Sequence, residues 1–302
     1  MKPTVVLLLS DKRSGSTLVQ DELCRHPDVR HVDFTTHSLS ETHFWVKTAY
    51  VLGLPESGFS GGAYPHSYGS PERALESLAA NLAGNIPGFQ AQGEPEDWVM
   101  QGWEALCRKY AQPVFFEKSP QHVHHPAALE MILQWAGQTG FTTRFIGLVR
   151  NPMAVMHSAE RQFATDPAKR QFAWLESCRN LARFAAELDA DQYFPLRYED
   201  LLARPHATFA ELCEFVGIEP LASMGDSVRG DGRDAWRSDR GYLMELDAEV
   251  RQYALRLGYS EQDLAQAPDQ PGSPFRSRVR ALANALRRTR GRAYYRFKRW
   301  QQ

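Results

Sequence analysis

The chain has 302 residues, with 35 Lys and Arg against 36 Asp and Glu, 43% apolar and 24% charged. That balance fits a folded globular protein and excludes disordered and collagen-like architectures. Cys24, Cys107, Cys178 and Cys213 stand far apart, with no CxxC and no Cys/His pairing. They read as buried thiols of a reducing, cytoplasmic compartment rather than as a disulfide framework or a structural zinc site. The apolar run at 5–9 is too short for a signal h-region or a membrane span, and predicts a buried first strand.

That run gives way at Ser14-Gly15-Ser16 to a helical pattern through Cys24, stopped by His26-Pro27. The segment 53–71 is rich in Gly and Pro and carries Phe59, Tyr64, His66 and Tyr68. It reads either as a loop covering an acceptor or as an ordinary surface loop. Helical stretches near 72–84 and 95–110 follow, then a short strand at 114–116 ending in EKSP, a helix near 126–136 and a strand over Thr142–Val149. Pro152 opens the next helix, and further helices fall at about 171–189, 205–216 and 246–257. Strands alternating with helices predict an α/β fold of one domain over 1–272, with a central parallel sheet flanked by helices and ligand sites at the carboxyl ends of its strands.

Two turns fall where such a sheet binds ligands. Lys12-Arg13-Ser14-Gly15-Ser16-Thr17 follows the buried strand and gathers cations, hydroxyls, backbone N–H groups and a helix N-terminus, which together make an anion trap. It is not a GxxxxGK[ST] loop: Ser10 stands where the first Gly belongs and Ser16 where the Lys belongs. Arg150-Asn151-Pro152 follows the strand FIGLV, and Ser158 lies eight residues beyond Arg150, so a guanidinium and a hydroxyl sit two turns apart for one phosphate.

The end of the chain differs in charge. Residues 275–302 hold ten Lys and Arg and no acid, leaving 25 bases against 36 acids in the first 274. Val279, Leu282 and Leu286 recur at helical spacing between arginines, before Tyr294, Tyr295, Phe297 and Trp300. The segment 273–302 therefore reads as a basic amphipathic tail. Three readings stay open: contact with an anionic membrane surface, contact with nucleic acid, and packing on its own acidic body or on a partner subunit. Nucleic acid is the least favoured.

The segments LLLSDKRSGSTL and FIGLVRNPMAVMHS resemble the two nucleotide-binding signatures of the sulfotransferase superfamily that uses 3′-phosphoadenosine 5′-phosphosulfate (PAPS), a P-loop-like fold. HPDVR at 26–30, SETHFW at 40–45, FEKSPQH at 116–122, LRYEDLLARP at 196–205 and FVGIEP at 215–220 keep the order of bacterial and Golgi-type members, near the tyrosylprotein branch. The resemblance covers roughly 4–260.

It implies that Arg13, Ser14, Gly15, Ser16 and Thr17 form the 5′-phosphosulfate loop, that Arg150 and Ser158 hold the 3′-phosphate, and that Tyr198 lies against the adenine. Glu41 matches the acidic position that acts as general base in several members, and it can remove the acceptor proton if partial burial raises its pKa. The link HVDFTTHSLSE is longer than in the tyrosylprotein branch, so Asp33 is a rival base. Lys118 and Arg13 would neutralise charge on the transferring group. His122 is a candidate base or acceptor-binding residue, and His43 a candidate to orient Glu41. A later cofactor loop matches 229–237 poorly. The implied reaction moves a sulfuryl group from PAPS to a hydroxyl on a small molecule, sugar, lipid or peptide by in-line transfer. No metal is predicted: there is no Asp-rich motif, and His122 and His124 are two apart rather than four. The alternatives are a non-catalytic anion-binding or PAP-binding module, PAP being the desulfated 3′,5′-bisphosphate, and a P-loop-type kinase, which lacks its lysine here.

Overall fold

The run predicted as the first strand is β1 (Thr4–Ser10), buried at all seven positions. In the computed structural model, which describes residues 2–54, 70–230, 234–266 and 273–300, β1 is the middle of a five-stranded sheet. The aromatic loop residues Phe59, Tyr64, His66 and Tyr68 lie outside the described residues. The other strands are β2 (Val29–Arg30), β3 (Val114–Lys118), β4 (Thr142–Val149) and β5 (Tyr193–Arg197). All pairings are parallel, in the order β2-β3-β1-β4-β5.

The helices are α1 (Ser16–Leu23), α2 (Phe44–Val51), α3 (Pro71–Asn85), α4 (Pro95–Tyr110), α5 (Pro126–Gln138), α6 (Pro152–Phe163), α7 (Pro167–Ala186), α8 (Tyr198–Ala203), α9 (Pro205–Val216), α10 (Ala248–Arg256), α11 (Glu261–Leu264) and α12 (Pro274–Trp300). Pro stands in the first turn of α3, α4, α5, α6, α7, α9 and α12. There its missing N–H costs nothing and its fixed φ is already helical.

The chain forms two compact units, one of residues 1–149 and 176–228, the other of 150–175 and 229–302. The first holds the whole sheet. Because side chains alternate along a strand, β1 sends Val5, Leu7 and Leu9 to one face and Val6 and Leu8 to the other. Phe115, Phe145 and the aromatics Phe44, Trp45, Trp103 and Trp135 of α2, α4 and α5 fill the first face. Phe116, Ile146 and Leu148 join Val19 and Leu23 of α1 and Phe209 and Leu212 of α9 on the second. Covering on both faces is why the strands are continuously apolar. Phe44, Trp45 and Trp103 are wholly buried, with the Trp45 and Trp103 ring centroids 5.0 Å apart, so these aromatics are core. Each such side chain contributes about 2–3 kcal/mol.

In the second unit Asn151 caps α6, its Oδ1 accepting from Met153 N at 2.9 Å, while its Nδ2 donates to Asp263 O at 2.7 Å. Tyr242 Oη donates to Met153 O at 3.1 Å. The predicted basic tail is helical as α12 and belongs to this unit.

Candidate active site

The segment between β1 and α1 turns through left-handed backbone at Arg13 (φ 71°) and Gly15 (φ 97°). A Cβ on Gly15 would stand 2.3 Å from Tyr198 Cε2. Glycine is thus required twice, by φ and by the Tyr198 ring that α8 lays against the turn. The first N–H groups of α1 open onto the same turn. The Ser14 hydroxyl is buried and has no hydrogen-bond partner among the described residues. Asp11 braces the turn: its Oδ1 accepts from Lys12 N at 2.7 Å and stands 2.9 Å from His124 Nε2, and His124 Nδ1 lies 3.1 Å from Ser177 Oγ.

β3 delivers the second part. Its register pairs Lys118 with Leu8, so Lys118 ends its strand beside the segment leading into the anion turn. Lys118 Nζ donates to Glu41 Oε1 at 2.7 Å, and His43 Nε2 lies 2.9 Å from Glu41 Oε2. His37 Nδ1 is 3.6 Å from that same oxygen. Lys118 and His43 are buried, and Glu41 is 7% exposed. The chain reaches this arrangement through left-handed backbone at Leu39, Ser40 and His43, none of them glycine, a strain that persists only where surrounding contacts hold it. Those contacts are present. His43 N donates to Ser119 Oγ at 2.9 Å, and Glu117 Oε1 accepts from Thr42 Oγ1 at 2.7 Å and from Ser119 Oγ.

The electrostatics correct one expectation. Burial pushes the Glu41 carboxyl up, but the His43 hydrogen bond and the Lys118 charge and hydrogen bond outweigh it, leaving the group at about 2 rather than raised. Burial pulls His43 down to about 3 against the pull of Glu41. A neutral His43 beside an ionised carboxylate donates from Nε2. His122 is fully buried and lowered to about 3 by burial; its Nδ1 is 3.8 Å from Glu117 Oε2, and neither ring nitrogen has a hydrogen-bond partner among the described residues. Burial raises Glu117. Lys47, lowered to about 8 by burial, donates to Thr42 O at 2.8 Å.

The family model described as "Sulfotransferase family" matches residues 5–222. The chain belongs to the sulfotransferase family. Among solved structures, the sulfotransferase domain from the Synechococcus PCC 7002 olefin synthase aligns with TM-score 0.57 and 21% identity, covering 85% of this chain and 95% of that one. The sulfotransferase domain from the curacin biosynthetic pathway gives the same TM-score and identity, covering 85% and 98%. No curated protein matches. The two domains share the fold, so this is a sulfotransferase-family enzyme built on a P-loop-like parallel sheet.

Of the sulfotransferase residues proposed from sequence, the structure brings Glu41, Lys118 and His43 into one cluster and lays Tyr198 on Gly15. Asp33 belongs elsewhere, bound to Lys109 Nζ at 2.9 Å and Tyr110 Oη at 2.8 Å. Arg150 and Ser158 lie in the second unit, where Arg150 is buried and its carbonyl accepts from Trp174 Nε1 at 3.1 Å. Residues 231–233 of the doubtful cofactor loop lie outside the described residues. Arg237 at its end donates to Gln262 O at 2.9 Å and pairs with Asp234 at 3.1 Å. Sequence reasoning missed His37, Asp11 and His124. The only available signal was the HVHH run, which carries the brace at its third residue rather than a metal pair. Donor atoms of His37, Glu41 and His43 lie within 4.8 Å of one another, a set able to hold a cation, with the Lys118 ammonium already on the second carboxylate oxygen.

Proposed function

We propose that the protein transfers a sulfuryl group from PAPS to a hydroxyl acceptor, with Glu41 as general base. The carrying observation is the buried Lys118–Glu41–His43 cluster at the end of β3, beside an anion turn braced through His124. The donor supplies an activated sulfuryl group and a phosphate leaving group. Arg13, Ser14, Gly15, Ser16 and Thr17 hold the 5′-phosphosulfate, and the buried Ser14 hydroxyl fits that role because it has no hydrogen-bond partner among the described residues. Arg150 and Ser158 bind the 3′-phosphate, and Tyr198 is a cofactor-binding ring.

Lys118 gives the cluster its logic. In the free enzyme its ammonium neutralises Glu41 and keeps that carboxylate a weak base. When the ammonium turns to charge developing on sulfuryl oxygens, Glu41 loses an opposing charge and its proton affinity rises. The acceptor O–H proton goes to Glu41, the S–O bond to the acceptor forms in line, and the S–O bond to the phosphate breaks, leaving PAP. His43 holds the carboxylate through Nε2–H. His122 faces the same buried region and is assigned to the acceptor side. The acceptor is a hydroxyl-bearing small molecule, sugar, lipid or peptide. All four thiols are free, which supports a reducing, cytoplasmic setting.

Calorimetric titration with PAP without metal, against ATP plus Mg²⁺, tests the reading. PAP binds and Arg150→Ala abolishes it. Binding of ATP but not PAP would return the two turns to the kinase alternative, and PAP binding with no transfer to any hydroxyl panel would leave the non-catalytic module.

A further inference from the structure

We propose that α12 docks the protein onto an anionic lipid surface through an apolar stripe that faces away from the unit carrying it. Within that unit the helix is held by polar residues on one side. Arg280 Nε lies 3.0 Å from Glu160 Oε2 and its Nη1 donates to Asp239 Oδ2 at 2.6 Å. Asn284 Nδ2 donates to Glu160 Oε1 at 2.8 Å, and Arg287 Nη1 to Arg161 O at 3.3 Å. Asp239 also meets His157 Nε2 at 2.9 Å, so this acid is itself fixed in the unit.

Phe275, Val279, Leu282 and Leu286 recur at i, i+4, i+7 and i+11, which at about 100° per residue puts them on one line opposite Asn284. They are 75%, 53%, 65% and 58% exposed. An ordinary surface helix turns its apolar stripe inward; this one turns Arg280 and Asn284 inward and its leucines to water. By the same helical geometry Arg276 and Arg278 flank the stripe on its two sides. The sequence repeats the period at Ala293, Phe297 and Trp300, with Arg290 and Arg292 before them and Arg296, Lys298 and Arg299 between them.

Charge selects the occupant. A second copy would set two helices against each other, each with ten cations and no acid over 275–302, a repulsion that self-association cannot relieve. Nucleic acid would use the arginines and leave the exposed leucines unexplained. An anionic leaflet answers both features, with phosphates at the arginines and acyl chains under Phe275, Val279, Leu282 and Leu286. Among the described residues no helix is long and apolar enough to cross a membrane, so the contact is interfacial.

The test is flotation of the full chain with vesicles of phosphatidylcholine containing roughly a third phosphatidylglycerol, against phosphatidylcholine alone. The protein floats with the anionic vesicles only. Leu282→Ser/Leu286→Ser weakens partitioning about a hundredfold, on the order of tenfold for each leucine, with melting temperature and PAP affinity unchanged because both side chains are largely exposed. Three results overturn the proposal: no flotation, equal flotation of the double variant, or a dimer in sedimentation equilibrium that the variant dissolves, which would make the stripe a subunit interface. PAP titration of the same samples reports on the catalytic reading separately.

Discussion

Lys118 meets Glu41 at 2.7 Å and Lys109 meets Asp33 at 2.9 Å, and each carboxylate takes a second partner, the His43 ring in one case and the Tyr110 hydroxyl in the other. Both carboxyls sit below their ordinary range. For Asp33 the hydrogen bonds from Lys109 and Tyr110 do this almost unopposed, whereas for Glu41 they must first overcome burial. The difference is water. The Lys118 side chain is wholly buried and that of Asp33 is 69% exposed, and an ion pair out of water is several-fold stronger and far more costly to break on one side. Position differs too. Lys118 closes β3 next to the anion turn, while Lys109 and Tyr110 end α4 ahead of β3 and also bind Asn85 of α3, through Lys109 Nζ to Asn85 O at 2.7 Å and Tyr110 Oη to Asn85 Oδ1 at 2.7 Å. The second pair clasps α3, α4 and the segment after β2. Burial beside a strand's carboxyl end, rather than pairing as such, separates the carboxylate proposed as the base from the one that clasps helices.

Removing the cation from the buried pair breaks the comparison most severely. Lys118→Met leaves Glu41 buried without its counter-charge, which costs roughly 3 kcal/mol or more of stability and, on the proposed mechanism, about a thousandfold or more in transfer rate. Denaturant titration and single-turnover sulfuryl transfer measure the two losses separately. Retained transfer would take Lys118 out of the chemistry. Glu41→Gln keeps the side-chain volume but replaces one of the two accepting oxygens with an NH2 group, removing the proposed base and the counter-charge of Lys118 together. Turnover falls on the order of 10²–10⁴-fold, while PAP affinity, read by calorimetry, is unchanged.

The same pair predicts a pH signature. The folded Glu41 carboxyl, at about 2, lies below its ordinary value of 4.5. Its contribution to stability is therefore complete above about pH 4.5 and is lost as pH falls through about 2. Relative to Glu41→Gln, the wild type loses on the order of 3 kcal/mol across that window, measurable by denaturant unfolding at stepped pH. Equal acid profiles for the two proteins would show that the pair is not held as described. Gly15→Ala acts beside the pair rather than on it. Its Cβ meets the Tyr198 ring and its φ is left-handed, so PAP affinity drops about tenfold or more with a smaller effect on the melting temperature.

Much of this was legible in the sequence, because the signals were local. β1 and β4 announce themselves as apolar runs, and seven of the described helices begin at prolines that mark their first turns. β5 was not predicted: at five residues, on the sheet edge and holding Pro195, it carries neither an apolar run nor clean alternation. The Lys12–Thr17 turn and Glu41 stand out as motifs, yet the direction of the Glu41 shift does not follow from the sequence. Burial acts locally, but the opposing charge arrives from Lys118, 77 positions along the chain. His124 on Asp11 and Ser119 on His43 are likewise long-range contacts, set by the neighbouring ends of β1 and β3 rather than by spacing in the chain.

The smallest effect sharpens the comparison most, because it asks whether Asp33 is only structural. Asp33→Asn removes the charge facing Lys109 but leaves a side chain that can still accept from Tyr110, whose hydroxyl also donates to Asn85. Since the Asp33 side chain is largely in water, solvent screens the pair and its loss costs less than about 1 kcal/mol. Its folded carboxyl is depressed, so even that contribution exists only above the ordinary aspartate value and fades as acid is added. Sulfuryl transfer should be unchanged at every pH at which the protein is folded. A fall in turnover comparable to that of Glu41→Gln, with melting temperature preserved, would move the proton acceptor from the buried pair to the exposed one.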